Sequence, residues 1–265
     1  MSEEKVGTQE EWLTARKALL ERERELARLE SEILEQRRAL PWVPVEKQYT
    51  FDTEDGTKTL AELFEGRSEL LAYHVMFGPD WTAACPGCTS LADHFNPTLP
   101  HLNGRDVTMI CMSHAPIEKL SAYKRERGWT FPYVSTYNSD FGYDFHLSFS
   151  PEQRRAGAEY NFEKVDFDEA LAGFEGDEGM AEIAASLGTD VAGYVTTEGP
   201  GFLAFALRDG VVHHTYTAYA PELNVLVFSE QLLGAGADGR RLELSGSPTP
   251  LPAPCRRRPA PGARV

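Results

Sequence analysis

The first pattern along the chain has a period of seven. Trp12, Leu19, Leu26, Ile33 and Leu40 recur at that spacing, Leu13, Leu20, Leu29 and Leu34 stand beside them, and Glu and Arg fill most of the other positions. This predicts one long helix over residues 8–40, ended by Leu40-Pro41. Its apolar stripe has two readings: a face packed along its own domain, or a seam that pairs two copies into a homodimer. The stripe is short for a coiled coil, and its flanks are mixed.

After Pro41 the period shortens. Residues 49–52 and 58–60 flank Asp55-Gly56, a hairpin signal, and LAELFEGRS predicts a short helix. Residues 70–77, 106–113 and 131–136 are apolar, β-branched or aromatic runs that predict three buried strands. Helices are expected between them, one opening at Cys85 and one over 115–128 with Pro116 at its start. Strands separated by helices argue parallel crossovers. One sheet edge would then carry both residues 78–88 and Ser113-His114, and ligands of open α/β sheets bind at such an edge. Residues 137–198 break the pattern, and they predict an irregular insertion with one helix near 177–187. Residues 202–207 and 211–217 predict a hairpin across Asp209-Gly210, and 221–232 a final helix. The organisation expected is a long helix over 1–44, an α/β domain over 45–235, and a disordered basic Pro- and Arg-rich tail over 236–265 that holds Cys255.

The chemistry centres on Cys85-Pro86-Gly87-Cys88. Pro86 suits the first position of a helix, where its missing N–H has no internal partner. A thiol just before that position feels open backbone N–H groups and the positive end of the helix dipole, both of which favour the thiolate. Cys88 is one turn on, so its sulfur returns toward Cys85 and can resolve a mixed disulfide formed there. Two other readings stand beside this redox motif. A structural zinc site needs about four ligands, and there is no second Cys-x-x-Cys and no His-x-x-x-His. The two cysteines could also be inert core residues.

Composition narrows the class. The chain is 265 residues long and 42% hydrophobic, enough for one domain with appendages. No run approaches the ~20 apolar residues needed to span a bilayer, and the start, MSEEKVGTQEEW, has no signal-peptide character. A reducing cytoplasm is the expected location, where paired cysteines are more often catalytic or metal-binding than structural. A net charge of −15 argues against nucleic acid as a partner. From Glu159 to Glu198 there are eleven acidic residues and one basic, Lys164.

The order of elements resembles the thioredoxin-like fold, a central mixed sheet flanked by helices. More closely, YHVMFGPDWTAACPGC, GWTFPYVSTYNSDFGYDF and LRDGVVHHTYTAYA resemble the thioredoxin-like bacterial proteins of the domain-of-unknown-function 899 family, over residues 10–235. The resemblance implies a redox class but no substrate; together with the Cys-x-x-Cys pair, the expectation is a thiol–disulfide oxidoreductase with no cofactor required, acting on a protein or small-molecule disulfide. The resemblance also implies Cys85 as attacking and Cys88 as resolving thiol, Trp81 as the aromatic before the pair, and Pro200 as a cis-proline facing the dithiol. The dipeptide between the cysteines is Pro-Gly rather than Gly-Pro, so a redox poise cannot be transferred. Pro79, Thr82 and Cys85 also nearly copy the nucleophile loop of peroxiredoxins, which makes a peroxidase a further alternative. Against it, Pro79 is one residue too close, and Gly201 stands where those enzymes place an arginine.

Of the seven histidines, His74 reads as a hydrogen-bonded core residue, His94 and His101 as exposed, and His213 and His214 as unpartnered. His114, at the expected dithiol edge, is a candidate general base for Cys88. With Cys85 and Cys88 it would also make a soft site suited to Cu(I), so copper binding is the second functional class. The acidic insertion is expected to lie over Cys85 as a lid that disfavours anions.

Overall fold

A computed structural model gives the architecture and describes residues 6–220 and Leu223. The expected helix over 221–232, the basic tail and Cys255 lie outside the described residues. The chain divides into two units, Met1–Trp42 and Val43 onward. The first is α1 (Gln9–Arg38), opened by a capping box in which the Thr8 hydroxyl accepts from Glu11 N–H and the Glu11 carboxylate accepts from Thr8 N–H. None of its residues is buried, and Trp12, Leu19, Leu26 and Ile33 are all exposed.

The second unit holds one eight-stranded sheet. Its first strands are β1 (Val43–Pro44), β2 (Thr50–Thr53), β3 (Gly56–Thr59) and β4 (Glu69–His74). A 3₁₀ turn at Glu62–Phe64 stands where a short helix was expected. Next come α2 (Pro86–Ala92), α3 (Leu99–Asn103), β5 (Val107–Ser113), α4 (Ile117–Arg127) and β6 (Tyr133–Ser135). After an insertion come β9 (Gly201–Arg208) and β10 (Val211–Tyr219). Strand order is β1-β10-β9-β4-β5-β6-β2-β3. Strands β4, β5 and β6 are parallel, β9 pairs antiparallel with β4, and β10 pairs antiparallel with β9 on its far side. This is the thioredoxin-like arrangement, with the carboxyl ends of β4 and β5 at one edge.

Period-2 alternation sorts the core onto two faces. Along β5, Met109 and Cys111 join Tyr73, Trp81, Cys85, Cys88 and Leu120 on one face. Ile110 and Met112 join Leu70, Ala72, Phe141 and Phe205 on the other. Both faces are covered, which explains why β4 and β5 read as continuous apolar runs.

The insertion between β6 and β9 is far more ordered than expected. It contains α5 (Phe141–Asp144), α6 (Pro151–Ala156), the hairpin β7 (Ala158–Tyr160) and β8 (Glu163–Val165), α7 (Phe167–Ala172), α8 (Glu178–Ser186) and α9 (Val191–Thr197). Only α8 was expected. The others are four to seven residues long, too short to show a helical period. Their starts are nevertheless marked: Ser150 and Gln153 form a capping box, and Asp166, Asp177 and Asp190 cap α7, α8 and α9. Acidic residues read as a charge field therefore serve partly as local helix caps.

Candidate active site

β4 ends at His74, but Val75 still donates to the Met112 carbonyl at 2.9 Å before the chain turns away. Gly78 permits that turn: a Cβ there would lie 2.8 Å from Trp81 Nε1, so the indole folds back against bare backbone. Cys85 is the residue just before α2, with Pro86 at the first helical position. Its N–H donates to the Met76 carbonyl at 2.9 Å, and its own carbonyl accepts from both the N–H and the hydroxyl of Thr89, each at 2.9 Å. The backbone at Cys85 is fixed on both sides, which leaves the thiol at the helix start with no capping duty of its own.

Cys85, Cys88 and Cys111 are all free, buried thiols. Cys85 is brought down to about 6, first by the Cys88 thiol donating to it and then by the Tyr194 hydroxyl and the N–H groups of Cys88 and Gly87, against the opposing effect of burial. Cys88 is pushed well up, because its proton is held by the Cys85 thiolate and because it is buried. The pair therefore gives up one proton readily and keeps the second. Tyr73, from β4, reaches Cys88 with its hydroxyl. Cys111 is raised by burial alone and has no share in this exchange.

The insertion closes over this pair. Tyr194 of α9 places its hydroxyl 3.2 Å from Cys85 Sγ, and its ring lies 5.7 Å from that of Trp81. Ile183 and Leu187 join the apolar cluster around the thiols. Thr82 N–H donates to the Leu187 carbonyl at 2.8 Å, and the Thr82 methyl packs on Gly188, where a Cβ would come within 2.8 Å of it. Thr82 thus anchors the insertion, and the hydroxyl within hydrogen-bond distance of Cys85 is that of Tyr194. Pro200 stands at the start of β9, where the next residue, Gly201, pairs with His74, and its carbonyl accepts from the Tyr160 hydroxyl at 2.8 Å.

His114 is placed differently from expectation. Alternation along β5 puts Cys111 on the dithiol face and Met112 on the other. Ser113 hydrogen-bonds Tyr133 of the dithiol face, and His114 turns the opposite way. Its Nδ1 pairs with Glu198 Oε1 at 2.9 Å and its Nε2 with the Tyr143 hydroxyl at 3.3 Å. Both ring nitrogens are thus engaged away from the thiols. The ligand set of Cys85, Cys88 and His114 is not gathered, and among the described residues no group of three or more His, Cys, Asp or Glu is arranged to hold a metal ion.

Glu198, like Tyr194, is a site residue with no sign in the sequence. Its carboxylate is almost wholly buried, pairs with His114, accepts from Ser148 Oγ at 2.7 Å and lies 3.4 Å from His74 Nε2, which makes no hydrogen bond. His74, fully buried, faces the Gly199 carbonyl through Nδ1 at 2.9 Å. Burial lowers its pKa, against the opposing pull of Glu198 and Gly199. His74 is the core histidine expected, but its partner is a charge. Of the others, His94 is half-buried, His101 is exposed, and neither His213 nor His214 is without a partner: His214 bonds the Thr217 hydroxyl at 2.6 Å.

A thioredoxin-like sheet carrying a buried Cys-x-x-Cys pair at the start of a helix defines the class. Residues 1–251 match the family model described as bacterial protein of unknown function (DUF899), and the chain belongs to that family. No curated protein matches it. Among solved structures, a peroxiredoxin Q from Xanthomonas campestris is 12% identical over 73% of this chain and 97% of its own, with a TM-score of 0.41. One from Xylella fastidiosa is 12% identical over 72% and 91%, with a TM-score of 0.41. The peroxidoxin BcpB from Mycobacterium tuberculosis is 14% identical over 68% and 84%, with a TM-score of 0.35. Among the described residues no helix is long and apolar enough to cross a membrane.

Proposed function

We propose that this protein is a thiol–disulfide oxidoreductase in which Cys85 attacks and Cys88 resolves. The observation that carries the reading is the asymmetry of the pair: one thiol made acidic at the start of α2, the other kept protonated one turn on. The Cys85 thiolate attacks one sulfur of a substrate disulfide. That S–S bond breaks, and the departing thiolate takes a proton from solvent. Cys88 then loses its proton and attacks Cys85 Sγ, which breaks the mixed disulfide and expels the second substrate sulfur. Two electrons have passed from the dithiol to the substrate, and a Cys85–Cys88 disulfide remains for an external dithiol to reduce. A reducing compartment such as the cytoplasm suits that last step.

The test is a trap. Cys88→Ser should hold the substrate on Cys85 as a mixed disulfide, visible as added mass that a reductant removes, whereas Cys85→Ser should hold nothing. Equal trapping by both variants would defeat the assignment of roles.

The same reading includes a homodimer through α1, supported by its exposed seven-residue stripe. Light scattering should give twice the chain mass for the full chain and the monomer mass once residues 1–40 are removed. A full-length monomer would dispose of the seam.

A further inference from the structure

We propose that Tyr194 is the residue through which the insertion governs Cys85, donating its hydroxyl to the attacking sulfur and limiting access to small, uncharged disulfides. The inference rests on the oxidoreductase reading and names its substrate class. Cys85 is only 6% exposed. An attacking sulfur must line up with both sulfurs of the bond it breaks, and a disulfide held in a folded protein cannot bring its bulk down to a sulfur at that depth. The Tyr194 ring lies beside the indole of Trp81, and its hydroxyl is 3.2 Å from Cys85 Sγ.

The segment that carries Tyr194 is fastened on both sides. Before it, the Leu187 carbonyl is held by Thr82 N–H. Within α9, the Thr196 hydroxyl accepts from Arg154 at 3.0 Å, and just after it Glu198 is sunk in its cluster with Ser148 and His114. Tyr194 is therefore presented by a braced strap rather than a free loop. A neutral hydroxyl that donates to a thiolate favours the charged form of the sulfur. Because Tyr194 is itself raised by burial and by the thiol beside it, it stays a donor wherever Cys85 is ionised. From Glu159 to Glu198 the insertion carries eleven acidic residues and one basic, a negative field that disfavours anions and weakens with salt. Any opening of the strap that admitted a large substrate would also withdraw the donor, so a sulfur open to proteins would be a less acidic one.

The experiment uses the full chain with Cys88→Ser, alone and combined with Tyr194→Phe or Tyr194→Ala. Iodoacetamide alkylation against pH reads the Cys85 thiolate without any turnover. Tyr194→Phe should move the midpoint up by about one to two pH units and leave the rate at high pH unchanged. An unmoved midpoint overturns the donor role. In the chain with both cysteines, bis(2-hydroxyethyl) disulfide should be reduced much faster than insulin, and Tyr194→Ala should narrow that gap at least tenfold. Equal use of the two disulfides before and after the change overturns the access role. If the midpoint moves as expected but neither disulfide is reduced, the oxidoreductase reading fails while the donor assignment stands.

Discussion

Cys85→Ser should reduce disulfide turnover to the uncatalysed background, and the wild-type rate should climb with pH through about 6 and level off near neutrality. No other thiol among the described residues can stand in. Cys88 is pushed up by its neighbour and Cys111 by complete burial, so neither is a thiolate at pH 7. At that pH a thiol titrating near 6 is roughly nine-tenths ionised, against a few per cent for a free cysteine near 8.5. Nucleophilicity falls as the thiolate is stabilised, with a Brønsted slope of about 0.4–0.5, which takes back about tenfold over this range. The net advantage is therefore only about threefold at pH 7, and it grows to about tenfold at pH 6. The rate of disulfide reduction from pH 5 to 9, measured alongside that of a small free thiol, gives this ratio directly. A wild-type profile that rises through 8.5 like the free thiol would mean that the helix start, the Cys88 thiol and Tyr194 do not act on the sulfur together.

The placement of Cys85 and Cys88 at the start of a helix was legible because each of its causes is local. Cys85, Pro86 and Cys88 lie within one turn, the strand before them is an unbroken apolar run, and the turn between carries Gly78 and Pro79. His114 stands at the carboxyl edge of β5 but faces away from the thiols, because the period-2 alternation that puts Cys111 on their face and Met112 on the other carries through to it. Tyr194 and Glu198 had no sequence signal of their own. One is a single tyrosine among scattered aromatics and the other a single acid among eleven, and both acquire meaning only when α9 folds back toward β4. The caps at Ser150, Asp166 and Asp190 were legible in principle, because each precedes a short helix in a capping pattern. Asp166 and Asp190 stand in a strongly acidic segment, where a capping carboxylate does not differ in sequence from its charged neighbours. What long-range packing decides, here the docking of the insertion onto Trp81 and Thr82, is not written in any local spacing.

Glu198→Ala should cost about 2–5 kcal/mol of stability, because each buried donor left without its acceptor costs about 1–3 kcal/mol. Whole domains hold only about 5–15 kcal/mol. The change would leave the His114 N–H and the Ser148 hydroxyl without their acceptor in a site that is almost closed to water, and it would release the link between α9 and Pro200. Glu198→Gln should behave differently, and the reason lies in His74. Its Nδ1 must carry a proton to bond the Gly199 carbonyl, so in the neutral ring Nε2 is bare and faces a carboxylate oxygen at 3.4 Å. A glutamine can keep its oxygen on His114 and turn its amide toward Nε2 and Ser148 Oγ, satisfying all three. If burial keeps His74 neutral at pH 7, as its lowered pKa implies, the glutamine variant should lie within about 1 kcal/mol of the wild type. A charged His74 would instead make it nearly as unstable as the alanine variant. The lowered pKa also fixes the sign with pH. The unfolded chain protonates His74 near 6.5, while the folded chain resists until a lower pH. The stability His74 contributes is therefore whole above about 6.5 and is lost as pH falls through the folded value. Urea melts of the wild type, Glu198→Ala and Glu198→Gln at pH 7.5 and at pH 5.5 measure all of this at once. A glutamine variant as damaged as the alanine one at pH 7.5 would show that the cluster needs the negative charge itself.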